Sequence, residues 1–235
     1  MARIVVICHD EEFGDDRVTT FFRGRNVEPQ FVMPFKGETL GDVDDGVVGT
    51  VVHGGRFNVF DDDKHPFLKD EKKWVDQCLK RNVPTLGICL GSQIVANVLG
   101  AAVGPLPAEP GEFGYYELTA TEAGKEYFPD RLHVTESHWH QFDVPRGADL
   151  LAGSQLFPNQ AFRYGRQAFA FQFHSEVTPT IFRRWQRENK NYDRPGAQPR
   201  EEQDRLMAIH DRAQHAWFMG FLDRLFGPGL DAENA

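Results

Sequence analysis

The stretch Pro84-Thr85-Leu86-Gly87-Ile88-Cys89-Leu90-Gly91-Ser92-Gln93 decides the reading of the fold. An apolar β-type run ends in Gly-Ile-Cys-Leu-Gly, and helix-forming residues continue through Ile94, Val95, Ala96, Asn97, Val98 and Leu99. A nucleophile between two glycines fits a sharp strand-to-helix turn, because a Cβ at either flanking position would crowd it. Such an elbow lifts the thiol off the top of a sheet and sets it at a helix N-terminus. The unpaired N–H groups and the dipole there favour thiolate over thiol. The alternative is a buried cysteine beside a tight turn.

Working outward, the pattern is that of an α/β protein. Arg3-Ile4-Val5-Val6-Ile7-Cys8 is a continuous apolar run, as expected of a strand covered on both faces. Asp15-Asp16 offers a cap for a helix carrying Val18, Phe21 and Phe22. Gln30–Met33 reads as a second strand, and 41–46 as an acidic loop. Val47–Val52 reads as a third strand that stops at His53-Gly54-Gly55. From Pro66 to Lys80 the spacing is helical, with Trp74, Val75 and Leu79 on the apolar side. Strands alternating with helices imply a flavodoxin-like, doubly wound, mostly parallel sheet with helices on both faces. Sites in such sheets lie beyond the carboxyl ends of the strands, where both Gly54-Gly55 and Cys89 fall.

After Gly100 the chain changes character. Residues 104–114 are rich in Pro and Gly and read as a surface loop. Short strands are expected at Tyr115–Leu118, Leu132–Thr135, Leu150–Gly153 and Ala161–Tyr164, and a longer one at Ala168–His174. Thr178-Pro179 suits an N-cap and first helical residue. Residues 191–200 read as a polar linker to a C-terminal helix at about 201–226. That helix should bury Leu206, Ile209, Ala213, Trp217, Phe221 and Leu225 and stop at Gly227-Pro228. No internal repeat or domain boundary is visible, so residues 1–235 read as one domain.

Composition narrows the function. Net charge is −9 with 26% charged and 40% hydrophobic residues, which argues against a nucleic-acid partner. No apolar run approaches the roughly 20 residues of a membrane helix. Met1-Ala2-Arg3-Ile4 runs straight into a strand, so no signal peptide is expected. Three widely spaced cysteines, Cys8, Cys78 and Cys89, form neither a disulfide framework nor a zinc pattern and suit a reducing cytoplasm.

A cysteine nucleophile needs a base, and the base needs a partner that holds its tautomer. His174 closes the late strand and Glu176 lies two residues on, so an extended chain would put both side chains on one side. Attack on a carboxamide also needs backbone N–H groups aimed at the developing oxyanion. The N–H of Leu90 and the glycine turn Gly54-Gly55 are the candidates.

Gly-Gly after a strand, Gly-Ile-Cys-Leu-Gly-Ser-Gln, and Gln-Phe-His-Ser-Glu-Val-Thr together resemble the class I, triad-type glutamine amidotransferases. The resemblance runs from about Val47 to Trp185. It is nearest to the stand-alone GMP synthase-like group, to which His65–Glu71, His138–His140 and Asn159–Arg163 are similar. It implies Cys89 as nucleophile, His174 as base and Glu176 as orienting acid, with Gly55 and Leu90 as the oxyanion hole. Gln93, Gly54 and the backbone near Trp139 and His140 would hold glutamine. The implied reaction is hydrolysis of the glutamine side-chain amide through a thioester, with no metal or organic cofactor. No Gly-rich nucleotide loop accompanies these motifs. Either a separate synthetase subunit consumes the ammonia, or the protein is a free hydrolase of γ-glutamyl peptides or amines. A catalytically silent ligand-binding or regulatory protein of the same fold is the third reading.

The chain departs from the family pattern at three places. Gly-Gly-Pro reads Gly54-Gly55-Arg56, His-Pro-Glu reads His174-Ser175-Glu176, and Gln141-Phe142-Asp143 follows His140 where Gly-Asp is usual. Arg56 either pairs with the acidic run Asp61–Asp63 or holds a second substrate carboxylate. His133, His138 and His140 are close in sequence, but the sequence offers no Cys or carboxylate to complete a metal set. Cys8 and His9 point to opposite faces of a strand, and Cys78 reads as core.

Overall fold

The computed structural model of the chain describes residues 2–11, 14–188, 192 and 194–231. In chain order the strands are β1 (Arg3–Ile7), β2 (Gln30–Val32), β3 (Val47–Val52), β4 (Thr85–Ile88), β5 (Val103–Pro105), β6 (Glu112–Ala120), β7 (Arg131–His138), β8 (His140–Phe142), β9 (Ala148–Gly153), β10 (Ala161–Tyr164) and β11 (Ala168–Phe171). The helices are α1 (Arg17–Arg23), α2 (Phe67–Lys80), α3 (Leu90–Val98), α4 (Pro179–Glu188) and α5 (Arg200–Asp231).

Nine strands form one sheet in the order β2-β1-β3-β4-β11-β10-β9-β6-β7. The pairs from β2 to β11 are parallel, and those from β11 to β7 are antiparallel. This is the doubly wound α/β sheet expected, extended on one side by an antiparallel meander. Alternate residues of β1 feed two cores. Ile4 and Val6 join Phe22, Phe218, Phe221 and Phe226 on the α1/α5 face, whereas Val5 and Ile7 join Trp74, Val75 and Ile94 on the α2/α3 face. A third cluster unites Phe113 and Tyr115 with Ile181 and Phe182 of α4 and with Leu206 and Met207 of α5. Among the described residues no helix is long and apolar enough to cross a membrane.

Four local expectations need correction. The late strand stops at Phe171, not His174, because its parallel neighbour β4 ends at Ile88 and the N–H of Cys89 takes the carbonyl of Phe171. The 104–114 stretch contributes the end of β5 and the start of β6, so it is only partly loop. Of the 191–200 linker, Asn191 and Asp193 lie outside the described residues. Its later part is docked, since Gln198 exchanges side-chain hydrogen bonds with the N–H and carbonyl of Tyr115 at 2.9 and 2.6 Å. Finally, α5 continues past Gly227-Pro228 because Leu230 is buried in the core.

The buried stripe of α5 also differs from the hydropathic one. Ile209 is 57% exposed, while Gln203 and Gln214 are fully buried. Gln203 donates to the carbonyl of Phe113, and Gln214 bonds both the N–H and the hydroxyl of Thr135. Satisfied amides therefore hold positions that a hydropathy count assigns to aliphatic residues.

Candidate active site

Four parallel strands, β1, β3, β4 and β11, end together. Their next residues are Cys8-His9, His53-Gly54-Gly55, Cys89 and, three positions past β11, His174. The elbow at Cys89 is built as its glycines demand. Cys89 has φ 50° and ψ −108°, a conformation costly for a residue with a Cβ. A Cβ on Gly87 would lie 2.5 Å from the carbonyl oxygen of Gly91, and one on Gly91 would lie 2.0 Å from that of Val52. Cys89 is the N-cap of α3, whose first helical hydrogen bond runs from the N–H of Gln93 to the Cys89 carbonyl.

His174 and Glu176 meet through a turn rather than along an extended strand. The Nδ1 of His174 lies 2.7 Å from the Oε1 of Glu176, and the N–H of Val177 closes the turn onto the His174 carbonyl. With Nδ1 committed, Nε2 is the ring nitrogen left to serve the thiol of Cys89, which, like the ring, lies beside Gly54. Burial disfavours charge on this ring. The carboxylate of Glu176 and the thiolate of Cys89 outweigh it and hold His174 well above the usual imidazole range. Gly54 sits where the two side chains converge, because a Cβ there would be 2.7 Å from the Cε1 of His174 and 3.2 Å from the Cβ of Cys89.

These residues open onto a cavity of about 650 Å³. Its wall includes Gly54, Gly55, Cys89, Trp139, His174 and Glu176, together with Arg56, Arg184 and Trp185. Leu90, Gln93 and His140 are not brought to that wall. The side chain of Leu90 nevertheless lies beside Gly55, with Cδ2 3.2 Å from where a Gly55 Cβ would stand. Gln93 is buried and donates to the Oε1 of Gln172 at 3.1 Å. The ring of His140 packs near Phe60 at 5.6 Å. Among the described residues, the backbone N–H groups of Gly55 and Leu90 have no hydrogen-bond acceptor.

Arg56 does not pair with the acidic run. Asp61, Asp62 and Asp63 are taken by Lys64, Lys72 and Lys69, and Arg56 faces Asp10 at 3.8 Å.

The sequence reading missed several groups. Arg17, with its side chain buried, donates Nη1–H to the carbonyl of Ser175 at 3.0 Å and its backbone N–H to that of Glu176 at 2.9 Å. His9 and Glu71, both buried, face each other beneath the Gly54-Gly55 turn. His138 belongs to a different cluster from the one its spacing suggested. His133 stacks on His210 at 3.7 Å instead of joining it. Two carboxylates do reach His138, contrary to the sequence reading: Glu112 because β6 pairs with β7 in register, and Glu136 because it lies two residues earlier on the same face of β7. The Oε2 atoms of Glu112 and Glu136 lie 3.3 and 3.2 Å from the Nε2 of His138. Three potential metal-ligating atoms thus come within 4.8 Å of one another. Burial opposes charge on His138, but the Glu136 and Glu112 carboxylates push it up to about 10, while burial pushes Glu136 up to about 7. The cluster is an ionic core on the far side of β7 from Ser137, which, like Trp139, faces the cavity. No local signal of period or motif could have found Arg17, Glu71 or Glu112.

The model of the family "Glutamine amidotransferase class-I" matches residues 33–190. The chain is 38% identical over 115 residues to the glutamine amidotransferase-like protein YfeJ of Salmonella typhimurium, covering 46% of each chain. It is 36% identical over 103 residues to a subunit of the glutamine-hydrolyzing GMP synthase of Thermococcus kodakarensis, covering 42% of this chain and 54% of that one. The chain thus spans about half the length of these two relatives. A crystal structure of a glutamine amidotransferase from Thermotoga maritima superposes with a TM-score of 0.85 at 32% identity, covering 96% of this chain and 98% of that one. A family match over more than half of the chain, on a fold shared nearly end to end, leaves one assignment: the chain belongs to the class I glutamine amidotransferase family.

Proposed function

We propose that the protein hydrolyses the side-chain amide of glutamine, with Cys89 as nucleophile, His174 as acid and base, and Glu176 as the group that orients it. The observation that carries this reading is that the bonded pair Glu176–His174 and the thiol of Cys89 converge on Gly54 at the wall of a cavity large enough for a small-molecule substrate. The thiolate attacks the amide carbonyl carbon, and the oxyanion accepts from the unpartnered N–H groups of Gly55 and Leu90. The Nε2–H of His174 protonates the departing nitrogen, and ammonia leaves. Water, deprotonated by the same nitrogen, then cleaves the thioester and releases glutamate with the thiolate restored. Trp139 would form part of the glutamine pocket. An intact arrangement of this kind favours a working enzyme over a silent binding protein. Relatives named as one subunit of a GMP synthase support the view that a separate synthetase uses the ammonia, and three free buried thiols support a reducing compartment such as the cytoplasm. The test is steady-state release of glutamate and ammonia from L-glutamine by the wild type and by Cys89→Ala and His174→Ala. Turnover unchanged in either variant would falsify the assignment.

One observation favours a second reading. The cavity wall carries two guanidinium groups, Arg56 and Arg184, beyond the reacting residues. They face Asp10 and Asp15 at 3.8 and 3.4 Å, and a substrate with a further carboxylate, such as a γ-glutamyl dipeptide, would compete for these cations.

A further inference from the structure

We infer that His9 and Glu71 are a positioning pair for the oxyanion-hole turn, so that carbonyl activation depends on them while the nucleophilicity of Cys89 does not. This rests on the hydrolytic reading above.

Glu71 lies on the buried face of α2, in the same stretch as Leu68, Trp74 and Val75, and its side chain has no exposure to solvent. A carboxyl group in such a place is unfavourable unless it is hydrogen-bonded. Its two oxygens stand 3.1 and 3.0 Å from one atom, the Nε2 of His9. The other ring nitrogen, Nδ1, lies 3.1 Å from the carbonyl oxygen of His53. A carbonyl only accepts, so Nδ1 must carry a proton. The Nε2–Glu71 contact needs one proton more, on the ring or on the carboxyl. Either way the pair holds two protons and keeps Nδ1–H aimed at His53.

That hydrogen bond has a mechanical consequence. The peptide between His53 and Gly54 is planar and trans, so fixing the carbonyl of His53 also fixes the N–H of Gly54. The turn that follows consists of two glycines, the most permissive of residues. Arg56, next in the chain, supplies no restraint, since its side chain is 78% exposed. His9 fills the space beneath instead: a Cβ on Gly55 would stand 2.5 Å from the Cβ of His9. The ring thus holds the turn from below at one carbonyl and by contact at Gly55, whose N–H is unpartnered.

The experiment separates two reactions of Cys89. Thioester formation builds an oxyanion and needs the hole. Alkylation by iodoacetamide displaces iodide at a saturated carbon, forms a C–S bond and builds no oxyanion. Glutamine turnover, γ-glutamyl dipeptide turnover and the alkylation rate of Cys89 would be measured on wild type, His9→Phe, Glu71→Met and Glu71→Gln. The expected result for His9→Phe and Glu71→Met is a kcat lowered by about 10- to 100-fold with KM little changed, against the 10²–10³-fold cost of losing a whole oxyanion donor. Alkylation should stay within about twofold. Glu71→Gln should restore most of kcat, because its amide can donate to Nε2 and keep the proton on Nδ1. If His9→Phe does not fold, Glu71→Met carries the same comparison. The inference is overturned if kcat is unaffected, if kcat and alkylation fall together, or if Glu71→Gln is no better than Glu71→Met. Wild type that alkylates rapidly yet turns over neither substrate would remove the hydrolytic reading itself, and the positioning role with it.

Discussion

Arg17 and Ser175 are joined across the top of the sheet: the Nη1–H of Arg17 donates to the Ser175 carbonyl at 3.0 Å. The same guanidinium pairs with Asp211 of α5 at 2.6 Å, and the hydroxyl of Tyr115 donates to that carboxylate. Ser175 stands between His174 and Glu176 with no proline to stiffen the turn, and a buried cation fastens its carbonyl instead. Arg17→Lys keeps the charge but loses the planar fork. It should cost about 1–3 kcal/mol, a fall in melting temperature of roughly 2–10 °C. The kcat for glutamine should drop with it. Thermal denaturation and steady-state kinetics on Arg17→Lys check this, and a variant as stable and as fast as wild type would contradict it.

The unequal roles along the Glu176–His174–Cys89 path give a pH test. The Glu176 carboxylate favours the imidazolium of His174, so its removal lowers the His174 pKa. The proton on His174 is the one given to the leaving nitrogen. The basic limb of the kcat/KM profile should therefore move to lower pH in Glu176→Gln, and kcat should fall by about 10²–10⁴-fold without vanishing. An unmoved basic limb would show that Glu176 does not act on His174.

Thiol reactivity should sort the three cysteines. Burial pushes the Cys8 and Cys78 thiols up to about 12, and Asp16 adds to the effect at Cys8. At neutral pH almost none of either is thiolate. Iodoacetamide followed by peptide mass spectrometry should find Cys89 modified first. Cys8 lines the same cavity, so access alone does not protect it. Labelling of Cys8 ahead of Cys89 would overturn the elbow reading.

What the sequence showed and what it hid divide along a physical line. Val47–Val52 and Thr85–Gln93 were legible because burial on both faces requires unbroken apolar runs and the elbow requires its glycines. Cys89 stood out as a candidate through the glycines that flank it, and His174 with Glu176 through their two-residue spacing, while the meeting of the two segments is supplied by the fold. Arg17 with Asp211 and His9 with Glu71 are contacts across 194 and 62 residues, and each partner sits in a segment whose own pattern is ordinary. A glutamate on α2 or a glutamine on α5 reads as a solvated position until the fold supplies its partner. The continuation of α5 past Gly227-Pro228 is hidden for the same reason, since Leu230 gains burial only from the packed core.

The ionic cluster beneath β7 predicts an inverted stability profile. Neither oxygen of Glu136 accepts a hydrogen bond, and burial raises its pKa from 4.5 to about 7. A carboxyl raised on folding binds more protons folded than unfolded, so its contribution falls as pH rises from about 4.5 through 7. Glu136→Gln removes that titration. The variant should therefore gain stability relative to wild type across this window, by about 1–3 kcal/mol in all. Melting curves of both proteins between pH 5 and pH 8 check the sign, and a difference that shrinks as pH rises would reverse it.

Substrate scope turns on Arg56. Its exposed pair with Asp10 at 3.8 Å contributes little to stability, since both partners are largely solvated. The guanidinium stands at the cavity wall directly after Gly55. Free glutamine leaves as ammonia and presents nothing there. A γ-glutamyl dipeptide presents the carboxylate of its second residue, which a planar fork can bind through two hydrogen bonds. A charge-assisted contact of that kind is worth roughly 1.5–3 kcal/mol, or about ten- to a hundredfold in affinity. Arg56→Ala should therefore lower kcat/KM for a γ-glutamyl dipeptide by about that factor and leave glutamine within about twofold. Competition assays with both substrates in one reaction measure the ratio directly. Should the two rates fall by the same factor, Arg56 supports the glycine turn and selects no substrate, and the dipeptide reading falls with it.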